Sequence, residues 1–216
     1  DHNLPGQLHA AFLRCDRAHA EIVSLDAAAA LKHRGVVAVF TGDDAIAAGY
    51  TRFPNLMTFT NKAGAGILKP ERPVLAHGRV RFVGETVAMV VAESAALARD
   101  AVADIVVEYR DLPVVVDAEE ALKPQAPLLH DSVPGNLTLQ WDTGDAGAVA
   151  QAFKQAAHVT KLKVVSPRVV PSPMEPRAAL IGYEAATGIY DVYTNSQGIG
   201  MLRWQISTLT GVPEDK

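Results

Sequence analysis

The sequence of 216 residues has one cysteine, few aromatic residues and no long apolar run. Because Cys15 is alone, the chain cannot form an internal disulfide, and it cannot build an iron–sulfur cluster or a structural zinc site from several thiolates. Its apolar runs fall well short of the roughly 18 residues that a membrane-spanning helix needs. These shortages exclude a disulfide scaffold and a self-contained iron–sulfur protein, and they argue against a membrane span within these residues.

The sequence also has little net charge. Twenty Lys and Arg residues against 24 Asp and Glu residues give a formal charge of −4. Binding to nucleic acid or to an anionic lipid surface needs a broad basic field, so neither is expected as a partner. Residues 1–15 lack the basic start and apolar middle of a signal peptide, which favours the cytoplasm but leaves the compartment open.

What is present is typical of a folded globular protein, with 49% apolar and 20% charged residues. This length allows one large domain or two modest ones. Residues 117–144 mix prolines and glycines with scattered polar groups, as a connection between two packed bodies does. We therefore expect a first domain over residues 1–120, a linker over 121–144 and a second, incomplete domain over 145–216.

The first half mixes strand and helix patterns, and the residues alone indicate a two-body α/β protein. Asp26 and Ser94 are placed to cap two helices, and a loop with three prolines is predicted over 50–78. The second helix has apolar residues on one face as far as Ile105. Short apolar or β-branched segments predict strands at 8–13, 20–25, 36–40, 80–83, 87–91 and 106–109.

The second half begins with a helix capped by Asp145, with Val149 and Phe153 expected to face inward. The later pattern predicts a strand over 159–165, a proline-rich bend over 167–176, a hairpin turning at Thr187-Gly188, and a last helix with Leu202, Ile206 and Leu209 on one face. A hairpin and one helix cannot bury their apolar surfaces alone, so we expect this body to need more chain or a partner.

Most residues with reactive side chains have an ordinary structural interpretation. The seven histidines show no spacing that presents two metal ligands together. The adjacent acids Asp43-Asp44 and Glu119-Glu120 are predicted to lie at helix starts, because neighbouring residues point apart and acids favour the positive end of a helix. Cys15 is expected to be a packed core residue, and the glycosylation pattern at Asn136 is discounted for lack of a secretory signal.

The segment from Ser166 to Arg177 is chemically the most unusual, because four prolines enclose two Arg residues and one Glu. Proline fixes the backbone and removes N–H donors, so a stiff segment of this kind can hold Arg side chains and exposed amides against a ligand. The alternative is a bend between strands with an ion pair. The residues alone favour neither interpretation.

Ordered motifs extend over nearly the whole chain. They are Leu4–Ala10, Arg14–Ala20, Gly35–Gly42, Val80–Ala88, Val107–Pro113, Gly144-Asp145, Pro173–Arg177 and Ser196-Gln197. In this order they resemble the large, molybdopterin-binding subunit of the xanthine dehydrogenase and aldehyde oxidase family, including its carbon monoxide dehydrogenase-like members. The resemblance implies an α+β protein, with an a/b hammerhead domain followed by the beginning of the molybdopterin-binding α/β domain.

The resemblance also implies an activity and partners. Such enzymes hydroxylate an aldehyde or N-heterocycle with oxygen from water, and electrons leave the molybdenum cofactor through iron–sulfur clusters and FAD. With one cysteine here, those groups are expected on an iron–sulfur subunit and a flavin subunit. The family's catalytic Glu and its Gly-Gly-Phe segment belong after residue 216, so this chain alone is expected to be inactive. The remainder of the large subunit would lie on the same or a separate chain. The alternative is a non-catalytic assembly module that keeps the hammerhead surface for binding a partner.

Carried over residue by residue, the resemblance gives supports near the edge of the cofactor, and no catalytic residue or metal ligand. These supports are Arg168, Glu175, Arg177 and Gln197. Some relatives place a Gln near the metal shortly before the Met-Glu-Pro motif, whereas this chain has residues 167–170, Pro-Arg-Val-Val. The substrate cannot be chosen, because pocket residues in this family come mostly from later sequence.

Overall fold

The structure, a computed structural model, describes residues 2–50, 52–167 and 169–216. The strands are β1 (His9–Arg14), β2 (Ala20–Asp26), β3 (Val36–Thr41), β4 (Arg79–Val80), β5 (Thr86–Ala92), β6 (Val106–Asp111), β7 (Ala179–Glu184) and β8 (Ile189–Thr194). The helices are α1 (Ala28–Lys32), α2 (Gly42–Ala47), α3 (Ala95–Val102), α4 (Ala118–Ala121), α5 (Ala146–Gln155) and α6 (Ile199–Thr210).

The first half contains two antiparallel sheets of three strands, ordered β1-β5-β3 and β4-β2-β6. β5 occupies the centre of the first sheet, and its Val87, Ala88, Val90 and Ala92 are fully buried. Two groups of buried side chains form the core, and Leu13, Leu25 and Val107 pack against both. The two sheets therefore share one continuous interior.

Helix α3 covers the β1-β5-β3 sheet with small side chains. Ser94 caps it, as predicted, by accepting a hydrogen bond from the backbone N–H of Leu97 at 3.3 Å. Ala98 and Ala101 are fully buried, and alanine lets a helix approach a sheet closely while costing little helix propensity. The helix ends at Val102, earlier than its apolar spacing predicts, but Ile105 still packs into the core.

Both pairs of adjacent acids lie at helix starts, as predicted. Asp43 and Asp44 lie in the first turn of α2, and Glu119 and Glu120 in that of α4. Asp117, the residue before α4, accepts hydrogen bonds from the backbone N–H groups of Glu119 and Glu120, each at 2.8 Å. The backbone bonds lower the pKa of the Asp117 carboxyl below its usual range. These acidic residues therefore have a structural role at the N-terminal ends of α2 and α4.

The predicted strand at 80–83 is too long. β4 includes only Arg79 and Val80, because the chain turns immediately afterwards. Gly84 takes a positive φ of 89°, and its N–H donates to the carbonyl oxygen of Cys15 at 2.7 Å. The preceding loop has no helix or strand over its described part, residues 52–78, apart from one bridge between Thr60 and Gly66.

Residues 121–144, which the sequence predicts to be a linker, fold around the side chain of Asn136. Its Nδ2 donates to the carbonyl oxygens of Ala121 (3.0 Å) and Pro127 (2.9 Å), and its Oδ1 accepts from the N–H of Leu129 at 3.0 Å. The residue closes a short 3₁₀ turn, Pro134–Asn136, and has a φ of 56°. Because its amide is used internally, Asn136 is a structural residue here.

The second half contains α5, capped by Asp145 as predicted, the β7–β8 hairpin and α6. The hairpin turns at Gly188, whose φ is 70°, and α6 ends at Gly211 in the left-handed conformation, as the sequence pattern predicts. No described residue after Val133 is buried, and no helix among the described residues is long and apolar enough to cross a membrane.

Two predictions for this half are wrong. Residues 159–165 form no strand, because no described strand lies beside them to accept and donate backbone hydrogen bonds. Val149 and Phe153 of α5 are 53% and 60% exposed rather than facing a core. Amphipathic spacing shows which face of a helix is apolar, but a second element must be present to cover that face.

Candidate functional site

An open cleft of about 320 Å³ lies at the start of α6. Of the four residues expected near a cofactor, Gln197 lines this cleft. The other lining residues are Ser196, Gly198, Met201, Leu202 and Gln205. The wall therefore combines a hydroxyl and two amide side chains with two apolar side chains.

The first turn of α6 begins without a side-chain cap. Gly198 is the capping residue, and its own N–H donates to Oγ of Ser196 at 3.0 Å. The first turn has no acidic residue, and a Cβ at Gly200 would meet no atom within 4 Å. Free N–H groups and the positive end of a helix favour oxygen-rich or anionic ligands.

The bend before β7 lies beside the segment that leads into this cleft. Nδ2 of Asn195 donates to the carbonyl oxygen of Pro176 at 3.3 Å, and Oγ1 of Thr194 donates to that of Ala178 at 2.8 Å. Arg177 lies between the two accepting residues. The backbone at Arg177 therefore lies close to residues 194 and 195, which precede Gln197 in the chain.

The other expected supports are less closely related to the cleft. Glu175 lies in the exposed part of the bend, and its side chain does not line the cleft. Arg168 lies outside the described residues. The structure thus places Gln197 at the cleft and the backbone of Arg177 near its approach.

Five of the six lining residues were not predicted as cofactor supports, namely Ser196, Gly198, Met201, Leu202 and Gln205. Ser196 was noted only within the family motif, and Leu202 was assigned only to the apolar face of the last helix. A signal was available for Met201 and Gln205, because they are spaced by four in α6 and a helix places such residues on one face.

A second cleft, of about 240 Å³, lies between β2 and the start of α2. Its polar wall includes Asp43 and His77, whose Oδ1 and Nδ1 atoms are 2.8 Å apart. Both side chains are more than half exposed. None of the three expected cofactor supports that the structure describes lines this cleft, so the α6 cleft is the better candidate.

The chain matches two family descriptions, in order. The a/b hammerhead domain of aldehyde oxidase and xanthine dehydrogenase matches residues 1–113, and a molybdopterin cofactor-binding domain matches residues 129–216. The chain belongs to the aldehyde oxidase and xanthine dehydrogenase family. The resemblance seen in the sequence motifs is confirmed, and so is the predicted fold class, a hammerhead domain followed by the start of a molybdopterin-binding domain.

Individual relatives match this chain over its whole length. The carbon monoxide dehydrogenase large chain of Hydrogenophaga pseudoflava is 33% identical over all of this chain, which covers 27% of that protein. The nicotine 6-hydroxylase large subunit of Paenarthrobacter nicotinovorans is 32% identical over all of this chain, which covers 26% of it. The chain therefore spans about a quarter of the length of these relatives.

Solved structures also match nearly all of this chain and about a quarter of their own length. Quinoline 2-oxidoreductase from Pseudomonas putida 86 superposes with a TM-score of 0.86 and 35% identity, covering 100% of this chain and 26% of that one. Aldehyde oxidoreductase from Desulfovibrio gigas superposes with a TM-score of 0.80 and 28% identity, covering 98% and 23% respectively.

The α6 cleft is chemically compatible with part of a molybdopterin group. A pterin carries ring N–H groups and ring nitrogens that need both donors and acceptors, and its phosphate needs donors. Gln197 and Gln205 offer both, Ser196 offers a hydroxyl, and the uncapped first turn of α6 offers N–H groups. The described residues around the cleft include no carboxylate that would repel the phosphate.

Proposed function

We propose that this chain is part of the molybdenum-binding subunit of a molybdenum hydroxylase. It would supply the hammerhead domain and the first part of the cofactor domain, over 1–120 and 145–216 with a linker over 121–144. The observation that carries this proposal is the ordered match of the two domain families along one chain. The α6 cleft supports it, because the cleft lies within the residues that match the cofactor-binding family.

In this proposal the chain holds one edge of the cofactor. Gln197 would bind polar atoms of the pterin, and the first turn of α6 would bind oxygen atoms. Arg177 would place a positive charge near the same edge, with Arg168 and Glu175 as further supports from the bend. None of these residues is assigned a catalytic role.

The proposed reaction is the hydroxylation of an aldehyde or an N-heterocycle. When bound, the molybdenum cofactor supplies a two-electron oxidation in which a C–H bond becomes C–OH, with oxygen from water, and two protons and two electrons are released. Two relatives are named for N-heterocycles, quinoline and nicotine, and another for aldehydes. These names support this substrate class for the chain, but they do not identify the particular substrate.

We propose that the electron carriers lie on partner chains. Cys15, the one cysteine, is buried, so this sequence cannot ligate an iron–sulfur cluster through several thiolates. We assign the clusters to an iron–sulfur subunit and FAD to a flavin subunit. The rest of the large subunit, on the same or a separate chain, would supply the base and most cofactor contacts, so this chain alone is proposed to be inactive.

Analysis of the native complex tests this function. The complex would be purified through a tag on this chain, and its molybdenum and pterin would be measured together with dye reduction by aldehydes and N-heterocycles. We expect stoichiometric molybdenum and substrate-dependent dye reduction. A preparation from cells grown with tungstate is the control, because it should keep the subunits and lose activity.

Two results would contradict the proposal. A complete complex without molybdenum or pterin would favour the alternative, a non-catalytic assembly module that uses the hammerhead surface to bind a partner. Oxidation of an aldehyde by the isolated chain of 216 residues would show that the proposed dependence on other polypeptides is wrong.

A further inference from the structure

Two contacts attach linker residues 129–133 to the hammerhead half. Nε of Arg81 donates to the carbonyl oxygen of Leu129 at 3.1 Å, and a guanidinium nitrogen of Arg79 lies 3.5 Å from Oδ1 of Asp131. One charge-assisted hydrogen bond and one ion pair thus hold this short segment against β4 and the residues that follow it. Val133, at the end of the segment, is buried with 3% of its surface exposed.

His130 lies in the middle of this segment, among positive groups. Its pKa is held below the usual range, first by burial and then by the positive charge of Arg81, with His19 and Arg79 acting in the same direction. Asp131 is the one facing group that acts in the opposite direction. The docked segment therefore favours the neutral form of His130.

The acidic groups nearby already interact with the two arginines. Oε2 of Glu85 accepts from the backbone N–H of Arg81 at 2.6 Å, and burial raises the pKa of the Glu85 carboxyl. Glu21 lies 3.9 Å from the Arg79 guanidinium, and Glu71 acts on Arg81 from further away. These carboxylates offset the positive charge of the two arginines and do not compensate a positive charge on His130.

His19 adds a second buried ring to the same cluster. It is 4% exposed, and its Nδ1 lies 2.8 Å from the carbonyl oxygen of Pro113. Because a carbonyl oxygen can only accept, Nδ1 must carry a proton. Its Nε2 is buried and has no hydrogen-bond partner among the described residues. The contact with Pro113 holds this ring in place, so it cannot turn away from the cluster without losing a hydrogen bond.

We propose that residues 129–133 form a pH-sensitive clamp, which stays docked on the hammerhead at neutral pH and is released in acid when His130 takes up a proton beside Arg81 and Arg79. A released segment exposes His130 to water, where it binds a proton more readily than in the docked state. Stability of the docked state is therefore fully present above the ordinary histidine pKa of about 6.5 and falls as the pH drops below that value. Other contacts also join the two parts, among them the stacked rings of His2 and Tyr193 and the ion pair of Lys163 with Glu119. Release of the clamp would therefore loosen the connection between the hammerhead and residues 145–216 without separating them.

Hydrogen exchange of the full chain, read by mass spectrometry at about pH 7.5 and about pH 5, tests the clamp. After correction for the intrinsic pH dependence of exchange, peptides covering residues 129–136 should lose protection in acid while β5 stays protected. The expected loss is about tenfold for each unit by which docking lowers the pKa of His130. Equal protection at both pH values would overturn the proposal, and so would a loss that parallels that of β5.

His130→Gln should keep residues 129–136 protected in acid, because glutamine remains uncharged. His77→Gln is the matched control and should behave like wild type, since His77 lies in the other cleft beside Asp43. If His130→Gln fails to fold, Asp131→Asn serves instead. It removes the one carboxylate that faces His130, so release should begin at a higher pH than in wild type. An unchanged acid response in His130→Gln, or an unchanged release pH in Asp131→Asn, would contradict the clamp.

Discussion

Gly42, the first residue of α2, packs directly against the backbone carbonyl of Ala76. A Cβ at position 42 would overlap the Ala76 carbonyl and come within 3.1 Å of Cα of His77. Both partners are backbone atoms, so no side-chain rotation relieves the clash. This contact fixes the end of the long loop over 52–78 against the hammerhead, and Ala76 is itself buried.

Gly42→Ala should therefore destabilise the protein. Overpacking against a fixed backbone costs about 1–3 kcal/mol in the free energy of unfolding, which urea denaturation would measure. Gly66→Ala is the control, because a Cβ there meets nothing within 4 Å. It should change stability by less than about 0.5 kcal/mol. Equal stability of the two variants would show that the loop shifts freely around position 42.

Replacing Asp44 by Asn should weaken α2 and reduce the loss of stability in acid. Oδ2 of Asp44 accepts from both the backbone N–H and the hydroxyl of Thr41, each at 2.7 Å, and these bonds lower the pKa of the carboxyl. Its contribution is present above the unfolded pKa and is lost as the pH falls through the lower folded value.

Urea unfolding at several pH values checks this prediction. At neutral pH Asp44→Asn should cost about 0.5–2 kcal/mol, as lost capping interactions usually do. The difference from wild type should shrink below about pH 4. Asp191→Asn, an exposed change on β8, is the control. A difference that stays constant with pH would contradict a role for the carboxylate charge.

Asn136 variants test the linker fold. Asn136→Ala removes three hydrogen bonds and puts alanine, which tolerates a positive φ less well than asparagine, at this position, so it should cost about 1–3 kcal/mol. Asn136→Gly also removes the bonds but tolerates this φ, and it should cost less than Ala. Thermal and urea unfolding would compare them with Asn3→Ala, whose side chain makes one exposed bond to Gln7. A cost for Gly equal to or above that for Ala would contradict the backbone part of this explanation.

Tyr109 should ionise at a higher pH in the folded protein than an ordinary tyrosine does. Burial raises the pKa of its hydroxyl well above the usual range, and a hydrogen bond with Cys15 adds to this effect. Because the unfolded chain releases this proton more readily, stability should fall as the pH rises above about 10.

An alkaline titration followed by tyrosinate absorbance measures this ionisation. Tyr109→Phe should remove the late component from the titration of five tyrosines. Tyr50→Phe, which changes an exposed residue, should leave that component in place. A late component that persists in Tyr109→Phe would show that another residue is responsible.

Gln197→Ala tests the α6 cleft in the assembled complex. Loss of neutral hydrogen bonds, each worth about 0.5–1.5 kcal/mol, should weaken cofactor retention by roughly two- to tenfold. The measurement is the molybdenum and pterin content after dialysis, with circular dichroism to confirm folding. Gln155→Ala, at the end of α5, is the control. Unchanged retention in Gln197→Ala would remove Gln197 from the proposed site.

Much of the secondary structure could be predicted from the sequence, because its signals are local. The capping residues Ser94 and Asp145 act on N–H groups three positions away, and the apolar run of β5 marks a strand buried on both faces. The strand expected at 80–83 was too long because Gly84 turns the chain back to Cys15. The strand expected at 159–165 was wrong because pairing depends on a neighbour and not on the segment itself.

The sequence by itself determined most of the order of elements, the helix caps at Ser94 and Asp145 and the family motifs, because each depends on residues within a few positions of one another. Only the tertiary structure decided that His19, Arg81 and His130 share one cluster, and that Gly42 closes on Ala76. These residues are far apart in the chain and carry no common periodicity. Their proximity follows from how the sheets and the linker pack, which no local pattern of residues specifies.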